Sequence, residues 1–127
     1  MANECIPFYS PGRDLTVQVT AAVKGKTFLN ITGAFDPVAG TVAKANTAAA
    51  AGLVIGVASR DADSGARVTV IRGSGRIVPV TAGGAIAAGD EVEVGAGGKA
   101  VKLASGKAVA RAWSAGVNNG DVAVSLY

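Results

Sequence analysis

Gly25-Lys26-Thr27 ends like a phosphate-binding loop, whose backbone N–H groups and lysine cradle an anion. That loop needs a glycine five positions before Gly25, and Thr20 stands there. Phe28 to Thr32 then reads as a strand, so no helix N-terminus is expected behind it. Gly73-Ser74-Gly75 begins like a dinucleotide fingerprint, but Val78 occupies the third glycine position, and the triplet is read as the tip of a hairpin. Asp61-Ala62-Asp63-Ser64-Gly65 opens like a calcium loop. Its fifth position is Gly65 instead of a ligand, and its twelfth is Arg72 where a bidentate glutamate is required. Asp90, Glu91 and Glu93 offer carboxylates for general acid–base work, but Glu91 and Glu93 alternate with Val92 and Val94 and are read as a solvated strand face.

The residue types that are missing narrow the chemistry further. With no histidine and a single cysteine, Ser-His-Asp and Cys-His catalysis and the usual zinc sites have no ligands or bases to draw on. Cys5 has no partner for an internal disulfide, which fits a reducing compartment. An enzyme relying on carboxylates alone would need two acids held about 5 to 9.5 Å apart across a cleft, and nothing in the pattern converges a pair. The reading is a protein with no catalytic residues, no metal and no cofactor.

The elements that must position these residues show a period of two. Leu15, Val17 and Val19 alternate with polar neighbours, and the same alternation recurs over Arg67 to Arg72, Glu91 to Val94 and Asp121 to Leu126. Thr27 to Thr32, Leu53 to Ala58, Arg76 to Thr81, Ala100 to Leu103 and Lys107 to Trp113 bring the total to about nine short strands, separated by Gly, Asn, Asp and Ser. Val42 to Ala51 differs, because Ala48 to Ala51 before Gly52 is compatible with a helical turn or a loop. Pro79 cannot donate to a ladder, which places its strand at an edge or a bulge. The expected fold is all-β: a small compact barrel or sandwich over residues 15–127, one domain in a chain of 127 residues.

Composition sharpens this picture. The chain has 26 Ala, 18 Val and 18 Gly against 11 Ile and Leu together, so the core is expected to be thin and closely packed. Charged residues are 17%, against roughly 25% in a typical soluble domain, which points to surface covered by a partner. Net charge is +3 and is scattered, which does not indicate nucleic acid. No apolar run approaches the roughly 20 residues that span a bilayer, and the start lacks a signal-peptide pattern, so a soluble protein is expected. Leu53 to Ile71 and Ala108 to Leu126 are faintly alike: each gives a strand, a polar turn ending in Gly65 or Gly120, and a second strand. Aligning them on Val54 with Val109 and Ser59 with Ser114 requires a one-residue slip after the glycine.

Residues 1–14 stand apart. Cys5, Ile6, Pro7, Phe8, Tyr9 and Pro11 combine apolar side chains with prolines that oppose helix and central strand, and are read as an extended arm that docks on something. Arg67, Arg72 and Arg76 flank the Gly73 turn and offer an electrostatic contact for an acidic protein surface; no aromatic stacking platform lies near them. Trp113 is read as a core residue, with a subunit contact as the alternative.

In order along the chain, these segments resemble the small all-β capsid decoration proteins of tailed bacteriophages. Ser10-Pro11-Gly12-Arg13-Asp14-Leu15-Thr16-Val17 is similar to that family's Pro-Gly-Asp start and Leu-Thr strand, with Arg13 inserted. Leu53 to Ala58 followed by Gly65 to Val70 resembles its Gly-Val-Ala, polar turn, Gly, strand unit. Ala85 to Val92 is similar to its Gly-Asp turn, and Gly120 to Leu126 to its closing strand. Phe35 to Gly52 is longer than the family pattern, and Glu93 and Val94 stand where aromatics are often found. The resemblance implies a non-enzymatic virion protein, made in the bacterial cytoplasm, that assembles as a homotrimer on the outer capsid surface. Its partners would be the major capsid protein, whose neighbouring subunits it clamps, and itself. A cellular β-barrel module that binds a ligand or protein outside any virus is the alternative.

Overall fold

A computed structural model describes residues 3–9 and 13–127. The first sheet contains β1 (Asp14–Gln18), β2 (Phe28–Gly33), β3 (Lys44–Thr47), β4 (Gly56–Ala58) and β5 (Arg67–Ile71), closed into a barrel in the order β1-β3-β2-β4-β5. The second contains β6 (Ile77–Thr81), β7 (Glu91–Val94), β8 (Ala100–Lys102), β9 (Ala110–Ala112) and β10 (Asp121–Leu126), in the order β6-β10-β9-β7-β8. The fold is all-β, as expected, with ten strands among the described residues. The unforeseen one is β3, within Val42 to Ala51, where Ala50 and Ala51 form a turn and no helix.

The two sheets are the same structure built twice. Val17 lies opposite Val68 as Val80 lies opposite Val122, and Leu15 opposite Val70 as Val78 opposite Val124. Val57 pairs with Ile71 as Arg111 pairs with Ser125. Phe28 pairs with Val57 as Glu91 with Arg111, and Leu29 with Thr47 as Val92 with Lys102. The loop bonds repeat as well: Lys26 N–H donates to Ala58 O and Gly89 N–H to Ala112 O, both at connections into the second strand. In the second sheet Ala82 and Ala100 form a parallel bridge between the ends of β6 and β8, so it too closes on itself. This superposition sets Val54 against Ala108 and Ser59 against Trp113, one residue away from the sequence alignment. The turn glycines mislead, because the left-handed position of Gly65 (φ 88°) is matched by Asn119 (φ 65°) and not by Gly120.

Alternation explains the burial. In the first repeat Val17, Val19, Leu29, Ala45, Val68 and Val70 point inward and form a thin core of small side chains. The outward-facing Phe28 and Val57 are also buried, because they join the interior of the second repeat, where Val80, Val92, Val94, Val122 and Val124 lie. The repeats therefore share one hydrophobic cluster. Lys26–Asp121, at 2.9 Å, and Arg76–Asp14 are ion pairs that cross between them on the surface. β6 has a ladder on one side only, with Pro79 exposed, as its missing N–H requires. β5 and β6 belong to different sheets, so Gly73-Ser74-Gly75 is the linker between repeats and not a hairpin tip.

Candidate functional site

The motif-like segments resolve into turns. Gly25 sits against the Arg60 backbone, where a Cβ would meet Arg60 Cα at 2.9 Å, and Lys26 adopts φ 61°. Thr27 Oγ1 donates to Lys24 O at 2.6 Å, and Asp61 Oδ1 accepts from Gly25 N at 2.8 Å. Asp61 thus braces a turn. Among the described residues no group of three or more His, Cys, Asp or Glu side chains is placed to hold a metal, and no helix is long and apolar enough to cross a membrane.

Two sequence expectations are corrected. Glu93 does lie on the outward side of β7, but that side is covered: the residue is 6% exposed, and its Oε1 accepts from Ala104 N at 2.9 Å. Gly106 and Ala51 close over it. Trp113 is not core; it is 60% exposed, with Nε1 donating to Ser125 Oγ at 2.9 Å. Alternation fixed which side each residue takes and was silent on what lies above that side.

The arm is the most apolar exposed segment. Residues 3–9 are all exposed, including Cys5, with Ile6 at 74% and Phe8 at 73%; Pro11 lies outside the described residues. The described arm is tied to the body through Phe35, with Phe8 edge-on to it at 5.5 Å and Tyr9 tilted at 5.9 Å. Edge-to-face pairs of this kind are worth about 0.5–1.5 kcal/mol beyond their buried area. Phe35 stands on the connection between β2 and β3, Ala34 to Ala43, which is about twice as long as its counterpart Gly95 to Lys99. Asp36 folds this loop. Its Oδ1 accepts from Val38 N at 2.9 Å and Ala39 N at 3.2 Å, while Asp36 N–H donates to Thr41 Oγ1 at 3.0 Å. Val38 is thereby held outward, 96% exposed. The sequence reading missed Phe35 and Val38. The available signal was the concentration of three of six aromatics in Phe8, Tyr9 and Phe35 of a chain poor in them.

Beside the arm an apolar cleft of about 210 Å³ opens at the end of the first barrel, lined by Leu15, Val17, Ile31, Ala43, Ile55 and Val70, with Tyr9 and Phe35 on one side. Arg72 also lines it. The three arginines do not form one patch. Arg72 and Arg76 stand near the linker, and Arg76 is paired with Asp14, whereas Arg67 begins β5 opposite Gln18, at the far end of the strand. The backbone N–H of Arg72 donates to Arg13 O at 3.1 Å, which continues the β1–β5 pairing by one residue. On the outer face of the second repeat, Tyr127 hydroxyl donates to Glu91 Oε1 at 3.0 Å. The Arg111 guanidinium there is held above its ordinary pKa, first by its hydrogen bond with Tyr127 and more weakly by the charge of Glu91.

The fold has a solved counterpart. The head fiber gp8.5 N base of bacteriophage phi29 matches with a TM-score of 0.75 and 21% identity over 90% of this chain and 92% of that one. No curated protein matches the chain. The phage cement protein family matches residues 9–126, from the last residue of the described arm to the end of β10. The doubled barrel and the apolar arm thus belong to a capsid-associated structural protein, and the chain is a member of the phage cement protein family.

Proposed function

We propose that this protein binds the outer surface of a phage head as a homotrimer and stabilises the shell by clamping neighbouring major capsid subunits, without catalysis. The observation that carries the reading is the arm: Ile6 and Phe8 are about three-quarters exposed while Phe8 and Tyr9 rest on Phe35, a surface with an anchored root and an unburied apolar tip. Family membership favours it over a cellular binding module. The likeness to a protein described as a head fiber base is of the same kind. Cys5, Ile6, Pro7, Phe8, Tyr9 and Pro11 make the capsid contact, and Arg67, Arg72 and Arg76 offer further electrostatic contacts, Arg72 and Arg76 beside the linker and Arg67 at the other end of β5.

Magnitudes explain why several attachments are needed. If an arm buried about 400 Å² of apolar surface, the gross gain is roughly 10 kcal/mol at about 25 cal/mol per Å². Ordering each arm residue costs about 1–2 kcal/mol, which cancels most of it. Three modest contacts in one trimer then gain by effective concentration. A chain lacking Met1 to Pro11 is expected to keep its body fold and to lose most of its affinity for capsids; undiminished binding would remove the arm from the mechanism.

A further inference from the structure

The internal duplication shows what the apolar cleft is shaped to receive. Leu15, Val17, Ile31, Ala43, Ile55 and Val70 of the cleft correspond in register to Val78, Val80, Val94, Gly98, Val109 and Val124 of the second repeat. There the same end of the barrel is filled. Phe28, Val57 and Ala48 of the first repeat join its core cluster, Ala51 N–H donates to Val94 O at 2.8 Å, and Gly98 packs against Phe28 O and Thr47. Val94 is accordingly 1% exposed, whereas its counterpart Ile31 is 49% exposed. One molecule thus contains the socket twice, once with its plug and once with Tyr9 and Phe35 along one wall only.

We propose that this cleft is a second capsid contact, a socket for an apolar strand segment of the capsid shell that presents an aromatic or large aliphatic side chain. The inference rests on the capsid-binding reading and adds the body of the protein to its arm. The internal plug defines the apolar part of the ligand: Phe28 and Val57, one aromatic and one β-branched side chain on neighbouring strands. A second copy cannot repeat the internal joint, because its own plug is already buried. The corresponding face of the second repeat presents Glu91, Arg111 and Ser125 where the first presents Phe28, Val57 and Ile71. The cleft also adjoins the exposed apolar arm, so shell and socket would meet along one continuous surface.

The test uses the full-length chain and purified phage heads stripped of it. Ile31→Glu changes an exposed rim position and is expected to leave the thermal transition in place while weakening capsid binding at least about tenfold, the loss of one buried aliphatic contact. Val117→Glu, on the second repeat at a residue 70% exposed, is the control and should bind as the parent does. A benzophenone photo-crosslinker at position 31 should join the chain to the major capsid subunit. Unchanged affinity of Ile31→Glu with the parent binding normally, or crosslinks only to a second copy or to the chain's own arm, would overturn the socket while leaving the capsid-binding reading intact. Failure of the parent itself to bind would overturn both.

Discussion

Asn119 occupies in the second repeat the position that Gly65 holds in the first: both have positive φ, 65° and 88°, and their N–H groups donate to Ala82 O and Val19 O at the matching point of each barrel. The left-handed region is open to glycine, tolerable for asparagine and costly for other L-residues. Gly65→Ala is therefore expected to destabilise by about 1–2 kcal/mol, although a Cβ there would meet no atom within 4 Å. Asn119→Gly should be neutral or slightly stabilising, and Asn119→Ala destabilising. Urea midpoints at an unchanged m-value check all three.

Glu93 predicts a sharper sensitivity. Its buried carboxylate caps Ala104 N–H, and a Cβ on Gly106 would fall 1.8 Å from Glu93 Oε2 and 2.9 Å from Ala51 Cα. Gly106→Ala should cost more than about 2 kcal/mol, because backbone as well as side chain must move. Glu93→Ala should cost about 1–3 kcal/mol, removing a buried side chain and the acceptor of the Ala104 N–H. Thermal denaturation of the two variants reads both.

The shared cluster predicts that the repeats unfold as one cooperative unit. Phe28 is fully buried in a core drawn mainly from the other repeat, so Phe28→Ala should destabilise by about 3–5 kcal/mol. Amide exchange should show protection falling together in β5 and β10. Loss confined to residues 14–71 would mean that the barrels unfold independently.

The positions of nine of the ten strands are legible because alternation of Val with polar residues is a local signal, whereas their order in the sheets is not. β3 was missed because Lys44-Ala45-Asn46-Thr47 offers one small apolar residue, and its strand state comes from pairing with Leu29 to Ile31. The repeat is legible only in its second half, and aligning it on the turn glycines displaces it by one residue, because backbone conformation, not residue type, is what is shared. The arm was legible as apolar and proline-broken. Its seat on Phe35 was not, since that contact joins segments some 26 residues apart.

Trp113 gives an optical prediction, since it is the chain's one tryptophan. Held on the surface by Ser125, it should be readily quenched by iodide in the dilute single chain, and Trp113→Ala should change stability by no more than about 0.5 kcal/mol. If the ring serves self-association, its protection from quencher should rise with protein concentration, and the alanine variant should sediment as a smaller species.

Saturation binding of the purified protein to phage heads that lack it, measured by co-sedimentation, tests capsid attachment most directly. The expected result is a plateau at a fixed ratio to the major capsid subunits, reached reversibly and with no added cofactor. Heads that take up no protein at any concentration, or take it up without a plateau, would contradict it.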